Sequence, residues 1–218
     1  MNYILIAVAY LIGAIPVSLI VGKVFLGIDI REHGSKNPGS TNAIRVMGKK
    51  YGVPVFIFDV LKGAIIVLIV HIGKLNGAFE SLFHPLVYGM AAIVGHVYPV
   101  FIKFKGGKAV ATSLGTFLAY APLIGLAGAF GFLISLKQNG WVSVSSTVGA
   151  FSLSSVAILV YFFGPTELPW TVILGTQGII EIPIIALIGT ALIIIRHKKN
   201  YERLRQGIEP KIKSFQKK

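Results

Sequence analysis

The chain has 218 residues, of which 54% are hydrophobic and 13% charged, with a mean hydropathy of +0.76 and a formal net charge of +13. A soluble domain carries roughly 25% charged residues, so this balance excludes an ordinary water-soluble globule and points to a bilayer as solvent. The absence of cysteine excludes disulfides, thiolate catalysis and Cys-type metal sites.

The apolar runs are continuous rather than alternating, which favours membrane helices over barrel strands. The first predicted span is Tyr3–Leu26; it has no basic n-region and no small-x-small cleavage site before Lys23, so it reads as a retained span. The second is Val53–Ile72 and the third His84–Phe101. Val110–Leu136 is long enough for one tilted helix or two short ones. Val142–Phe163 follows, and Ile179–Ile195 closes the hydrophobic part. Between those two, Gly164–Gly178 carries Pro165, Pro169 and Trp170 and reads as an outer loop with an interfacial aromatic.

Charge resolves the ambiguous segment. Of 21 Lys and Arg, all but Lys62 and Lys74 fall between Lys23 and Lys50, between Lys103 and Lys108, at Lys137, or from Arg196 onward. If Val110–Leu136 crosses twice, turning at Ala121–Pro122, these groups share one face, the cytoplasmic one by the positive-inside rule. The expectation is an all-α polytopic membrane protein of seven transmembrane helices, some short, with the N-terminus outside, the C-terminus cytoplasmic, and a single domain over 1–218. The basic residues flank spans and lack interleaved aromatics, which argues against a nucleic-acid partner.

Polar chemistry concentrates in four segments. The loop from Gly34 through Ser35, Asn37, Gly39, Thr41 and Asn42 to Arg45 offers backbone N–H groups, hydroxyl and amide donors, and a guanidinium able to grip phosphate bidentately. A polar turn with a helix N-cap explains the spacing equally well. His96 ends the third span, and Lys105-Gly106-Gly107-Lys108 forms a compact basic loop able to cradle phosphate, although it lacks the spacing of a Walker A loop. A lone His in apolar surroundings is more often structural than catalytic. Arg196–Glu209 emerges from the last span; a stop-transfer run explains its cations, but not His197, Asn200 and Glu202. Trp141–Ser146 opens the sixth span with Ser143, Ser145 and Ser146, which in membrane helices commonly bond backbone. Asp59 and Lys62 sit i,i+3 within the second span, where charges pair or incur on the order of 2.5–3.5 kcal/mol each. No His followed five residues later by Asp occurs, and no HExxH, GxSxG or GxGxxG is present.

Taken together and in order, these segments resemble the membrane-embedded bacterial glycerol-3-phosphate acyltransferases that use acyl-phosphate. The family's Gly-Ser-x-Asn-x-Gly-Ala-Thr-Asn-x-x-Arg loop is matched by Gly34–Arg45 with Ser40 in place of Ala. Its Gly-His-x-x-Pro and Phe-Lys-Gly-Gly-Lys-Gly segments are matched by Gly95–Lys108, with Ala109 standing where the family has Gly. Its Arg-His-x-x-Asn-x-x-Arg-Leu-x-x-Gly-x-Glu tail is matched by Arg196–Glu209, and its Val-Ser-x-Ser-Ser stretch by Val142–Ser146. The resemblance implies acyl transfer from acyl-phosphate to the 1-hydroxyl of glycerol 3-phosphate, giving lysophosphatidic acid and phosphate at the cytoplasmic face of the bacterial inner membrane. It implies no cofactor or metal, and membrane lipid as the surroundings of the acyl chain. It assigns catalysis to Ser35, Arg45, Lys108, Ser143, His197 and Asn200, and substrate binding to Gly34, Asn37, Gly39, Thr41, Asn42, His96, Lys105, Gly106 and Gly107. A carrier for phosphorylated metabolites would also want basic cytoplasmic loops, but the chain lacks the internal repeats common in carriers.

Overall fold

The structure, a computed structural model, describes residues 2–77, 82–164 and 178–212. No strand occurs among the described residues. The helices are α1 (Asn2–Ala14), α2 (Val17–Leu26), α3 (Ser40–Leu75), α4 (Pro85–Val97), α5 (Val110–Tyr120), α6 (Pro122–Asn139), α7 (Val142–Phe163), α8 (Glu181–Arg196) and α9 (Lys198–Arg205). They gather into two compact units, Met1–Ala119 and Tyr120–Lys218. Among the described residues, α3, α7 and the stretch Pro85–Ile102 are each long and apolar enough to cross a bilayer, and α1 with α2 qualifies as a pair bent by 41°.

Several boundaries differ from the sequence reading, each for a local reason. The first span is broken, because Pro16 has no N–H to give the helix and its ring disturbs the preceding turn. The second helix starts at Ser40, well before the hydrophobic stretch, and kinks at Gly48, which sits at φ 76° and ψ 174°. The third ends at Val97 and continues as a 3-10 turn over Val100–Ile102. Val110–Leu136 divides at Ala121 into α5 and α6, as the Ala121–Pro122 turn predicts, with Pro122 at the first helical position. Of the Gly164–Gly178 loop, residues 165–177 lie outside the described residues.

In the first unit α1 packs on α4, α2 on α3, and α3 on α4. Lipid supplies little drive for helices to associate, so close van der Waals contact must do so. Glycines provide it: a Cβ at Gly13 would collide with the Ala92 backbone, and one at Gly115 with the Val60 carbonyl. Helix α3 is apolar on its outward face, where Ile57, Phe58, Leu61, Ile65 and Leu68 are exposed, while Asp59 and Lys62 are buried at 3% and 6% exposure. That inversion suits a lipid solvent. In the second unit α6 packs on α7 and α7 on α8. Ser154 donates to the Thr190 hydroxyl at 2.7 Å, and Thr190 donates on to the Ala150 carbonyl at 3.1 Å, a polar staple between α7 and α8.

Ala109 precedes α5, is fully buried, and its carbonyl accepts the Ser113 N–H at 2.8 Å. Its φ is 67°, in the left-handed region that glycine adopts without strain. A left-handed L-residue costs ~1–2 kcal/mol, and glycine returns ~0.5–1 kcal/mol of that through its looser unfolded state. Ala109→Gly is therefore expected to stabilise the protein by roughly 0.5–1 kcal/mol, read as a raised thermal unfolding midpoint in detergent. A lowered midpoint would show that the methyl packing outweighs the backbone strain.

Candidate functional site

In the first unit the 34–45 loop is built around Asn42, which is 2% exposed. Its side-chain nitrogen donates to the carbonyls of Ile30 (3.2 Å) and His33 (3.1 Å), and its side-chain oxygen accepts the Ser35 N–H at 2.8 Å. Both amide hydrogens are thereby engaged, so Asn42 shapes the loop from within. Gly34 has φ 59°, and a Cβ there would run into the Asn42 amide oxygen. The Ser18 hydroxyl donates to the Pro38 carbonyl at 2.9 Å, tying α2 to the same loop.

The loop feeds into the start of α3. Gly39 is its N-cap and no side chain caps it, so the positive end of the helix dipole has no bound carboxylate or hydroxyl at the cap. Thr41 and Arg45 are exposed and four residues apart, which puts them on one helix face beside that end. Ser35, Asn37 and Gly39 are half-buried nearby in the chain.

The second basic segment folds back on the end of α4. The Gly107 N–H donates to the His96 carbonyl at 3.0 Å and the Gly106 N–H to the Val97 carbonyl at 3.1 Å. These amides close the loop onto the end of α4. The glycines are needed for contact instead: a Cβ at Gly107 would strike the His96 ring, and one at Gly106 the His96 carbonyl. Lys105 stays exposed and Lys108 half-buried on either side of this turn. A small cavity lined by Ile15, Pro38, Asp59, Lys62, His96, Gly106 and Gly107 brings the break in the first span, the 34–45 loop and the 105–108 turn together.

In the second unit the organising group is Glu209. Its carboxylate accepts from Asn200 at 2.7 Å, from the Ser143 hydroxyl at 3.0 Å and from the Arg203 guanidinium at 2.7 Å. Its backbone carbonyl accepts the Trp141 indole N–H at 3.1 Å, and Lys211 lies over the Trp141 ring at 4.3 Å. Ser145 and Ser146 donate to carbonyls four residues back, as membrane serines commonly do, which sets Ser143 apart. His197 is 2% exposed, and its Nδ1 lies 2.8 Å from the Ile193 carbonyl. A carbonyl only accepts, so Nδ1 carries a hydrogen toward it. Burial opposes ionisation of Glu209, but the bonds from Asn200 and Arg203, the Arg203 charge and the Ser143 bond outweigh it and hold the carboxyl below its ordinary value.

The sequence reading placed Ser143, His197 and Asn200 in the site but left out Glu209, the residue on which Ser143 and Asn200 converge. A carboxylate among nine basic residues was the available signal. Among the described residues, no three His, Asp or Glu side chains cluster to hold a metal ion. The first unit supplies cations and a helix N-terminus, groups that suit an anion. The second, taken by itself, supplies oriented hydroxyl, amide and imidazole groups.

Residues 3–207 match the family described as glycerol-3-phosphate acyltransferase. The glycerol-3-phosphate acyltransferase of Acholeplasma laidlawii is 42% identical, the match covering 96% of this chain and 93% of that protein. The crystal structure of PlsY, an integral membrane glycerol 3-phosphate acyltransferase, in its glycerol 3-phosphate form superposes with a TM-score of 0.82 at 34% identity, covering 98% of this chain and 96% of that one. The lysophosphatidic acid form of the same enzyme gives 0.78 at 34% identity, covering 97% and 95%.

The depressed Glu209 carboxyl makes a pH prediction with a definite sign. Its folded value lies below the ordinary 4.5, so its contribution is fully present above pH 4.5 and is lost as pH falls through the folded value. Wild-type protein is expected to lose more of its unfolding midpoint between pH 5 and pH 3 than Glu209→Gln, which has no charge there to lose. Equal losses in the two proteins would show that the carboxylate is not favoured by the fold.

Proposed function

The chain belongs to the glycerol-3-phosphate acyltransferase family, and from that membership we propose that it transfers a fatty acyl group from acyl-phosphate to the 1-hydroxyl of glycerol 3-phosphate. The products are lysophosphatidic acid and inorganic phosphate. The observation that supports this most is the match along nearly the whole chain to an enzyme captured with glycerol 3-phosphate and with lysophosphatidic acid. One transmembrane acyltransferase domain over 1–218 carries the activity, in the bacterial inner membrane. Seven spans place the N-terminus outside and the basic loops and C-terminus in the cytoplasm, and the acyl chain stays in lipid.

The chemistry follows from the donor. Acyl-phosphate is a mixed anhydride whose leaving phosphate is already a stable anion, so acid assistance is a minor need. The protein's work is to hold two anions together and to stabilise charge on the carbonyl oxygen. Arg45, Lys105 and Lys108 take the phosphates, with Thr41, Ser35 and the start of α3 as neutral donors. Asn37, Gly34 and Gly39 shape the loop around them, as Asn42 does from inside. His96, Gly106 and Gly107 fix the turn that presents the two lysines. Ser143, held by Glu209, together with Asn200 and His197 orients the reacting groups. The glycerol hydroxyl attacks the carbonyl directly, its proton passing to a substrate phosphate.

The direct test is purified protein with acyl-phosphate and labelled glycerol 3-phosphate, with labelled lysophosphatidic acid as the readout. Arg45→Ala is expected to lower kcat/KM by about two orders of magnitude and Arg45→Lys to recover little of it, because an ammonium lacks the two-pronged fork. Near-normal turnover in Arg45→Ala would reject the phosphate role. With acyl-phosphate alone, no acyl group should appear on the intact protein mass; an adduct on Ser143 or Ser35 formed at the turnover rate would replace direct attack with a two-step route.

Sidedness has its own test, since the chain contains no cysteine. Asn76→Cys is expected to react with an impermeant thiol reagent on intact cells, and Lys211→Cys only after permeabilisation. Labelling of Lys211→Cys in intact cells would reject the seven-span arrangement.

A further inference from the structure

The most unusual group in the first unit is one that the reaction does not call on. Asp59 and Lys62 lie within α3 in a stretch whose outward face is apolar, and both are buried. The Lys62 ammonium is 2.8 Å from one carboxylate oxygen of Asp59. The same oxygen lies 3.6 Å from Nδ1 of His96, an electrostatic contact too long for a hydrogen bond. Lys62 also donates to the carbonyl of Ile15 at 3.3 Å. That carbonyl lies at the break, where its helical donor, the Leu19 N–H, goes instead to the Pro16 carbonyl at 3.0 Å, and its other partner is the Val17 N–H at 3.0 Å.

Buried ion pairs contribute little net stability, and well-packed apolar residues of similar volume commonly do as well or better. In lipid the same groups are costly, and charged residues there usually mark function. Stability alone is therefore a poor reason for this pair. Its geometry supplies another. Asp59 faces His96, the His96 ring packs so close to Gly107 that a Cβ there would strike it, and the His96 carbonyl takes the Gly107 N–H. Gly107 in turn leads directly into Lys108. On the other side, the broken span that Lys62 holds continues as α2, whose Ser18 is bonded to Pro38 in the 34–45 loop. Both basic segments are thus anchored to one buried charge pair, around one cavity.

We propose that Asp59 and Lys62 are positioning residues for acyl transfer, setting the 105–108 turn through His96 and the 34–45 loop through the break at Ile15. The proposal rests on the reading that these two segments hold the substrate phosphates. A pair inside the membrane suits this task because it is shielded from water and from salt, so it keeps its strength and direction where a surface pair would not.

The experiment uses the full chain in detergent. Removing one charge leaves the other buried and endangers folding, so the informative variant is the neutral double substitution D59N/K62M, with D59E as the conservative control. Two quantities are read on the folded fraction: kcat/KM, and the rate of tryptic cleavage after Lys105 and Lys108. The double variant is expected to fold, to be cut several-fold faster at those lysines, and to lose about tenfold or more in kcat/KM through misplacement of the phosphate-binding groups. D59E, which keeps the charge and its partners, is expected to recover most of both. Unchanged cleavage together with unchanged kinetics in D59N/K62M overturns the proposal, as does faster cleavage with full activity. Failure of the underlying reading is seen separately: Lys108→Ala would then keep normal turnover, whatever the Asp59 variants do.

Discussion

A bilayer supplies no water to a helix that breaks, so each interruption of a span has to be satisfied by the protein itself. The first unit is organised by that requirement. The first span breaks at Pro16; the Leu19 N–H goes to the Pro16 carbonyl rather than to Ile15, and the Ile15 carbonyl is taken up by the Val17 N–H and by Lys62. The lysine needs a counter-charge, which Asp59 supplies one turn earlier on the same helix. The second half of the span then leads toward the 34–45 loop, with Ser18 fastening the connection. A polar route through the interior exists because the helix break made it necessary, and the basic loops are built at its end.

Much of the polar inventory works on the protein rather than on a ligand. Asn42 and Glu209 each gather three or more polar bonds: Asn42 closes one local loop on Ile30, His33 and Ser35, whereas Glu209 joins Asn200 and Arg203 to Ser143, 66 residues away. The two differ in kind. Asn42 is neutral and buried, and it fixes backbone. Glu209 is charged and fixes side chains, with enough donors that ionisation is favoured despite burial.

Hydropathy made the helical class, the order of the helices and the turn at Ala121–Pro122 legible, because lipid solvation and proline chemistry act locally. The start of α3 at Ser40 was hidden, since its first turns are polar and a hydropathy reading begins only at Val53. The break at Pro16 was hidden in the opposite way: the apolar run continues through it, and only Lys62, 47 residues on, shows what receives the orphaned carbonyl. The site residues were recognisable as motifs but not their division of labour. Asn42 and Arg45 lie in one motif, yet one is consumed inside the loop and the other sits on the surface of α3. Likewise the sequence shows Gly106 and Gly107 as part of a compact basic loop, but not that their N–H groups close the chain onto α4.

The contact between Ser143 and Glu209 bears on the reaction path. A hydroxyl 3.0 Å from a carboxylate has the outline of a nucleophile with its base. A useful base, however, has an affinity for protons near the operating pH, and Glu209 is held the other way by Asn200 and Arg203. Taking the Ser143 proton would also break bonds that orient Asn200. With its one hydrogen given to Glu209, Ser143 can meet an incoming alcohol only as an acceptor. An alcohol bound that way has its only hydrogen on Ser143, so under the proposed direct attack it must turn that hydrogen from Ser143 to the substrate phosphate as it reacts. The proposed acceptor is a stronger base than a carboxylate held by three donors.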